Sequence, residues 1–137
     1  MTTPSAPLAR VIAFYETLTP QSLARLAEVY APDARFRDPF NAVQGLGPIR
    51  AIFDDMFERT RDPRFVITGH VEQGTSAFLT WDFRFGLGGR RGRELIVQGC
   101  SQLQFDDQGR LSQHRDYWDA ADELYAQLPL IGPLMRA

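Results

Sequence analysis

The chain has 137 residues, of which 44% are hydrophobic and 12% aromatic, including ten Phe. A chain of this length can bury one sizeable core but not two, so the sequence predicts one domain over residues 1–137, with 1–6 as a flexible tail. The 15 Lys plus Arg are balanced by 17 Asp plus Glu. This balance leaves no basic field for a phosphate backbone and argues against nucleic acid as a partner.

The cysteine count and the hydropathy pattern indicate the compartment. Cys100 is the single cysteine, so no internal disulfide can form. No apolar run approaches the roughly 20 residues that cross a bilayer, and the opening "MTTPSAPLAR" lacks the pattern of a secretion signal. We therefore expect a cytoplasmic protein with no membrane partner.

Apolar residues at helical spacing predict three helices in the first half of the chain. The first covers residues 7–18. The second begins after Thr19 and Pro20, an N-cap and first-turn pair, and its apolar stripe extends to Tyr30. The third opens at Pro48. The segment "ARFRD", between the second and third helices, alternates as a short strand over 34–38.

The hydrophobic period then changes to two and predicts four long strands joined by turns rich in Gly, Asp and Ser. These strands cover residues 64–72, 77–86, 93–105 and 110–118, and a short helix over 119–127 follows them. The short connections indicate an antiparallel sheet with sequential pairing. Helices packed on one face of such a curved sheet would bury both sets of apolar side chains, so the predicted fold class is α+β.

Alternation also predicts which side chains face inward. Asp38 shares a face with Phe36, and Trp81 and Phe83 share the apolar face of their strand. Ser101 falls on the apolar face of the next strand, where its hydroxyl could simply bond to nearby backbone. For Asp38 the alternative is a turn in which the carboxylate accepts backbone amides.

The last strand carries two different polar faces. One face holds His114, Asp116 and Trp118, and the other holds Arg115 and Tyr117. A histidine, a carboxylate and an indole would be costly in a plain core but useful in the wall of a pocket. We therefore expect the even-numbered residues to face a pocket and the odd-numbered ones to face outward.

Two segments resemble a known family. The segment "YAPDARFRDPFNAVQGLGPIRAIFDDMF" is similar to a stretch of the ketosteroid isomerase group in the nuclear transport factor 2-like superfamily, which includes the SnoaL-like polyketide cyclases. The "HRDYWD" ending resembles the last strand of many SnoaL-like proteins. The resemblance implies a cone-shaped, cystatin-like α+β barrel with an apolar cavity. It also implies a homodimer formed through the sheet, with Arg115 and Tyr117 at the interface.

The resemblance also implies roles for single residues. Asp38 matches the general base of the isomerases, and Tyr15 matches their principal oxyanion-stabilising tyrosine. Ser101 stands where those isomerases carry a protonated aspartic acid, a stronger hydrogen-bond donor than a serine hydroxyl. His114 and Asp116 add an ionisable pair where the isomerases have apolar residues.

These observations lead to a functional hypothesis: cofactor-independent proton transfer next to a carbonyl, as in an isomerase or polyketide cyclase. The catalytic residues would be Asp38, Tyr15, His114 and Asp116. A small, largely apolar molecule would contact Trp118, Ser101, Trp81, Phe83, Phe57 and Met56. Epoxide hydrolysis by Asp38 with Asp116, and a non-catalytic binding module, are the alternatives.

A metal site built from His114, Asp116 and Asp38 is a weaker interpretation. Transition-metal sites usually contain more than one His or Cys, and the other histidine, His70, belongs to a different strand. Neither a metal nor a cofactor is therefore expected.

Overall fold

The computed structural model describes residues 2–87 and 94–120. In chain order the elements are α1 (Ala6–Glu16), a 3-10 helix (Gln21–Arg25), α2 (Leu26–Val29), β1 (Tyr30–Arg37), β2 (Ala42–Gln44), α3 (Leu46–Arg59), β3 (Thr60–Gln73), β4 (Ser76–Leu87), β5 (Leu95–Phe105) and β6 (Leu111–Tyr117). The strands form one curved, open sheet in the order β2-β1-β6-β5-β4-β3. The predicted α+β class is confirmed. Nearly all of the helix predicted over 119–127 lies outside the described residues.

The sheet combines predicted hairpins with one pairing that the sequence did not predict. Strands β3 to β6 pair sequentially and antiparallel, as expected. Strand β1, however, pairs with β6 in parallel, which places Phe36 opposite His114 and Arg37 opposite Arg115. The hairpin rule concerns neighbours in sequence and therefore says nothing about this long-range contact.

The second predicted helix is shorter than expected. Its first part is the 3-10 helix Gln21–Arg25, which begins after Pro20 and is preceded by a hydrogen bond from the Ser22 backbone N–H to Thr19 Oγ1 at 3.0 Å. The helix nevertheless ends at Val29, and Tyr30 begins β1. The cause is local: Pro32 disfavours helical backbone at the preceding residue and lets the extended strand begin early.

The segment expected to be a flexible tail contacts β3. Ser5 caps α1, accepting the Leu8 N–H at 3.4 Å. The Ser5 backbone N–H and hydroxyl also donate to the two oxygens of Glu72, at 2.7 and 2.6 Å. These hydrogen bonds hold the pKa of Glu72 below its ordinary value. The start of α1 is thus tied to the edge strand of the sheet.

The core lies between the inner face of the sheet and the helices. Its largest fully buried side chains are Leu8, Val11, Leu23, Tyr30, Ile49, Leu79, Leu103 and Leu111. Strands β4 and β5 supply their odd-numbered residues to this core, as the alternation predicts. One cross-strand pair is tight, because the Trp81 indole covers Gly99 and a Cβ at position 99 would overlap the ring.

Replacing this glycine tests the packing. We expect Gly99→Ala to lower the free energy of unfolding by about 1–3 kcal/mol, because the indole must move. Gly47→Ala is the matched control: position 47 lies in α3 with open space around it. There the same change should be neutral or stabilising by up to about 1 kcal/mol. Urea unfolding of both variants measures the difference, and equal effects would contradict the packing described.

Candidate functional site

A group of polar side chains interrupts the apolar inner face of the sheet. We call it the inner polar cluster, and its members are Tyr15, Tyr30, Ser101, His114 and Asp116. Register brings three of them together, since Ser101 lies opposite Asp116 in the β5–β6 pair and His114 lies two residues before Asp116. Helix α1 and the start of β1 supply the two tyrosines.

Hydrogen bonds connect the whole cluster. The Tyr15 and Tyr30 hydroxyls are 2.5 Å apart, and the Tyr30 hydroxyl lies 2.7 Å from His114 Nδ1. On the other side of the ring, His114 Nε2 lies 2.5 Å from Asp116 Oδ1. Ser101 Oγ donates to the same carboxylate oxygen at 2.5 Å. This series of hydrogen bonds therefore runs from Tyr15 on α1, through Tyr30 and the His114 imidazole, to the Asp116 carboxylate on β6.

The partners of His114 indicate which ring nitrogen carries its proton. A carboxylate only accepts, so Nε2 donates to Asp116, and a neutral ring then accepts at Nδ1. Tyr30 is the donor to Nδ1, and Tyr15 in turn donates to Tyr30. When the His114 imidazole is neutral, each hydrogen bond of this series therefore has its donor on the side of α1 and its acceptor on the side of Asp116.

Asp116 has one occupied and one open carboxylate oxygen. Oδ1 accepts hydrogen bonds from both His114 and Ser101. Oδ2 has no hydrogen-bond partner among the described residues, and the side chain keeps 16% of its surface exposed. The open oxygen belongs to a residue that lines a small cavity. Asp116 is thus fixed on one side and available on the other.

The cavity beside Asp116 is narrow, and its walls are mostly apolar. Its walls are Tyr15, Phe65, Ile67, Leu79, Trp81, Ser101 and Asp116. Phe65 packs edge to face against Tyr15 and Trp81, with ring centroids 5.2 and 5.6 Å apart. A water-sized sphere can occupy about 10 Å³ of it, which is close to the minimum for one water molecule. A larger ligand would have to widen this space.

Both buried tyrosines are held in their neutral form. Burial is the main reason that the pKa of Tyr15 lies well above its ordinary value, and the nearby Tyr30 and the Asp116 charge act in the same direction. Burial likewise raises the pKa of Tyr30 far above its ordinary value. Each hydroxyl therefore keeps its proton to donate over the physiological pH range.

The structure brings together some of the residues selected from the sequence. Tyr15, Trp81, Ser101 and Asp116 all line the cavity. The Trp81 indole N–H donates to Ser101 Oγ at 2.8 Å, so the serine hydroxyl bonds to side chains rather than to backbone. His114 is only 2% exposed and reaches the cavity through Asp116.

Asp38 occupies a different place. Its Oδ1 accepts the backbone N–H groups of Phe40 and Asn41, at 2.8 and 2.7 Å, and the Asn41 side-chain amide at 3.1 Å. This is the turn geometry that an Asp before a proline favours. Asp38 is not among the residues that line the cavity.

Four residues expected at the ligand also lie outside the cavity walls. Trp118 packs edge to face on Phe40, with the ring centroids 5.5 Å apart. Phe83 extends an aromatic stack beyond Phe65, which is a wall residue. Met56 and Phe57 of α3 are partly buried against the core.

Sequence reasoning missed Tyr30 and Phe65. Tyr30 fits a helical stripe, and only Pro32 two residues later signals that it begins a strand. Phe65 lies on the strand predicted over 64–72, but its same-face neighbour Ile67 is also apolar, so the sequence does not distinguish a cavity wall from ordinary core here.

Within residues 2–87 and 94–120, no group of three or more His, Cys, Asp or Glu side chains is placed to hold a metal ion. In the same ranges, no helix is both long enough and apolar enough to cross a membrane.

The raised tyrosine pKa values predict a loss of stability in alkali. Below a pH of about 10 the phenols are protonated in both states, so their contribution to folding is intact. Above it, tyrosines of the unfolded chain ionise while buried Tyr15 and Tyr30 do not. The free energy of unfolding should then fall by up to about 1.4 kcal/mol per pH unit for each tyrosine.

Denaturant unfolding at pH 8 to 11.5 checks this, with tyrosinate absorbance as a second readout. Tyr30→Phe should make the alkaline fall less steep. Tyr117→Phe, at an exposed position, should leave the slope unchanged. A wild-type slope that Tyr30→Phe does not change would contradict the assignment.

Comparison with known proteins identifies the family. The SnoaL-like domain model matches residues 11–114. An NTF2-like protein of unknown function from Burkholderia pseudomallei shares 19% identity, with a TM-score of 0.76 over 94% of this chain and 99% of that one. A ketosteroid isomerase-like fold protein from Catenulispora acidiphila, solved with trimethylamine, shares 17% identity, with a TM-score of 0.76 over 94% and 95%.

A candidate SnoaL-like polyketide cyclase from Shewanella denitrificans shares 21% identity, with a TM-score of 0.72 over 90% of this chain and 100% of that one. No curated protein matches the chain. The resemblance seen in the sequence is therefore confirmed at the level of fold and family. The chain belongs to the family of SnoaL-like domains.

Proposed function

We propose that this SnoaL-like domain is a cofactor-independent enzyme that transfers a proton next to a carbonyl, as an isomerase or a polyketide cyclase does. Its substrate is a small, largely apolar molecule, and its base is Asp116. One observation carries the proposal: Asp116 Oδ1 is held by two donors, while Oδ2 is open and the residue lines a mostly apolar cavity.

The anchoring of Asp116 suits a general base. Such a base needs a free lone pair and a fixed position relative to the proton that it removes. Two hydrogen bonds from His114 and Ser101 to Oδ1 prevent the carboxylate from turning. The Trp81 indole in turn orients the Ser101 hydroxyl. The open oxygen is thus positioned by residues that need not touch the substrate.

The proposed reaction uses two residues of the cavity walls, Asp116 as the base and Tyr15 as a hydrogen-bond donor. Asp116 Oδ2 takes the proton from the carbon next to the carbonyl, and the C–H electron pair forms the new C=C bond of an enolate. The carbonyl π electrons move to oxygen, where the Tyr15 hydroxyl donates a hydrogen bond. Asp116 then returns the same proton to another carbon and completes an isomerisation. In a cyclisation, the enolate carbon instead forms a C–C bond to a second carbonyl carbon, the π electrons of that carbonyl move to its oxygen, and the resulting alkoxide takes the proton from Asp116.

The hydrogen bonds of the inner polar cluster determine whether the Tyr15 hydroxyl can donate to the substrate. Tyr15 can donate to a substrate oxygen only if its hydroxyl turns away from Tyr30. A protonated His114 would allow this, because Nδ1 would then donate to Tyr30 and Tyr30 to Tyr15. His114 and Tyr30 are therefore positioning residues in the proposal, and they set the direction of the donor chain.

The role of Asp38 as base stays a prediction from the family resemblance. Its carboxylate accepts donors of its own turn. A base that takes part in proton transfer needs access to the substrate, and the cavity walls include Asp116 instead. The two aspartates can be separated by experiment, since each can be changed to asparagine with almost no change in volume.

A non-catalytic binding module is the second candidate. The walls contributed by Tyr15, Phe65 and Trp81, together with one carboxylate, are chemically suited to a small alkylammonium ion. The Catenulispora acidiphila structure was solved with trimethylamine. In this reading Asp116 is the counter-ion of a bound cation and performs no chemistry.

We expect Asp116→Asn to lower kcat about 100-fold or more, since it removes a general base. Asp38→Asn should change kcat less than about threefold if its carboxylate only caps a turn. A suitable probe is 3-cyclohexen-1-one, a small β,γ-unsaturated ketone whose conversion to the conjugated enone is followed by ultraviolet absorbance. Deuterium exchange next to the carbonyl, followed by NMR, detects the first step alone.

The opposite ranking, with Asp38→Asn inactive and Asp116→Asn active, would show that Asp38 is the general base and Asp116 is not. Absence of exchange in the wild type, together with saturable trimethylammonium binding that Asp116→Asn abolishes, would favour the binding module. Circular dichroism of each variant separates a lost function from a lost fold.

We also propose that the chain forms a homodimer through the outer face of the sheet. Val66, Val71, Phe78 and Tyr117 are large apolar or aromatic side chains exposed there. Val71 and Phe78 are direct cross-strand partners, so they form a continuous apolar surface. Burial of such a patch against a second copy is a common reason for its exposure.

Sedimentation should give a mass about twice the 15.5 kDa of the chain. The double variant Val71→Asp with Phe78→Asp should sediment as a monomer, since a charged patch cannot be buried without a partner charge. Phe40→Asp is the control, because Phe40 is about equally exposed but does not belong to the sheet. A monomeric wild type would refute the dimer.

A further inference from the structure

The outer face of the sheet carries a polar groove that the proposed reaction does not use. Its volume is about 600 Å³, and it extends from β2 across β1, β6 and β5 to β4. Cross-strand neighbours form two rows on its floor. We call this the outer groove and define it by Arg37, Arg115 and Gln102 in one row and Arg35, Gln113 and Gln104 in the other.

The outer groove concentrates the positive charges of Arg35, Arg37 and Arg115. Arg37 and Arg115 are direct partners in the parallel β1–β6 pair. Arg35 lies two residues before Arg37, on the same face and about 7 Å away. Among the described residues that line the groove, none is an Asp or a Glu. Like charges placed directly opposite each other on a sheet are destabilising, and the chain as a whole has a net charge of -2.

The side chains also present donors rather than acceptors. The Arg115 guanidinium lies 4.6 Å from the centre of the Tyr117 ring, which fixes its position. Tyr117 donates to Gln102 Oε1 at 3.1 Å, so the Gln102 amide directs its N–H groups elsewhere. Among the described residues, Arg35, Arg37 and Arg115 have no carboxylate partner. The matching ligand must supply several acceptor oxygens and negative charge.

We propose that the outer groove binds a small organic anion that carries at least two negative charges on carboxylate or phosphate groups. Arg37 and Arg115 contact one group, and Arg35 with Gln113 contacts the next. Arginine suits this role because its planar fork matches both carboxylate and phosphate oxygens.

Two other occupants fit the groove less well. A nucleic acid backbone needs a longer track of positive charge than three arginines on a chain with net negative charge. A second copy related by a twofold axis through the groove would bring six guanidiniums together. The apolar patch proposed for the dimer is centred instead on the Val71–Phe78 pair of β3 and β4.

Isothermal titration tests the proposal with inorganic pyrophosphate and citrate as probes, at constant ionic strength. We expect saturable binding of at least one probe, one molecule per chain. The double variant Arg37→Gln with Arg115→Gln should weaken this binding at least tenfold, because charge-assisted hydrogen bonds are lost. Arg25→Gln with Arg50→Gln removes the same charge from exposed sites elsewhere and should change the Kd less than twofold. Preference for pyrophosphate or for citrate identifies the anionic group.

A ligand-free measurement supplies a second readout. Because Arg37 faces Arg115 without a counter-charge, Arg37→Gln should raise the Tm by about 1–3 °C at low ionic strength, and Arg25→Gln should not. Three results would overturn the proposal: no saturable binding of either probe, equal weakening in the control variant, or loss of a dimer in the groove variant with no anion bound. The last result would assign the groove to a second copy.

Discussion

The parallel pairing of β1 with β6 is the contact on which the rest of the site depends. It sets Phe36 beside His114, with the ring centroids 4.7 Å apart, and it brings Tyr30 within hydrogen-bond distance of the same imidazole. Without this pairing His114 would be a buried histidine with a carboxylate on one side only. With it, the protons of two tyrosines are linked to a carboxylate at the cavity wall.

Because the inner polar cluster is buried, its members depend on one another for their hydrogen-bond partners. In the part of the chain that the structure describes, no buried side-chain nitrogen or oxygen lacks a hydrogen-bond partner. Removing Tyr30 would leave His114 Nδ1 with only the longer contact to Tyr15, at 3.4 Å. An unsatisfied buried group costs about 1–3 kcal/mol, so each member stabilises the position of the others. Asp116 Oδ2, which has no partner among the described residues, is therefore not fully buried.

Alternation and residue type predicted different parts of the site. Residue type, rather than the period, indicated that the face of the last strand with His114 and Asp116 points inward. Alternation placed Ser101 on the inner face of β5 and grouped His114 with Asp116, because a period of two is a direct consequence of strand geometry. It could not predict the contact of Tyr30, which depends on a parallel pairing across about 80 residues of sequence. Nor could it decide between a pocket and a turn for Asp38, because both place the carboxylate near Phe36. Local periodicity predicts faces, whereas partners across the fold depend on tertiary contacts.

The size of the cavity adds a constraint on how the site can work. Space for about one water molecule cannot hold a cyclic ketone, so binding of the proposed substrate requires displacement of a wall. Phe65 and Ile67 belong to β3, an edge strand paired on one side only. The register of β3 shifts twice, and one shift follows Ile67 directly. An edge strand with interrupted pairing has fewer backbone hydrogen bonds to resist movement than the central strands that carry Ser101 and Asp116. The fold therefore separates the firmly held Asp116 carboxylate from a cavity wall that is less restrained.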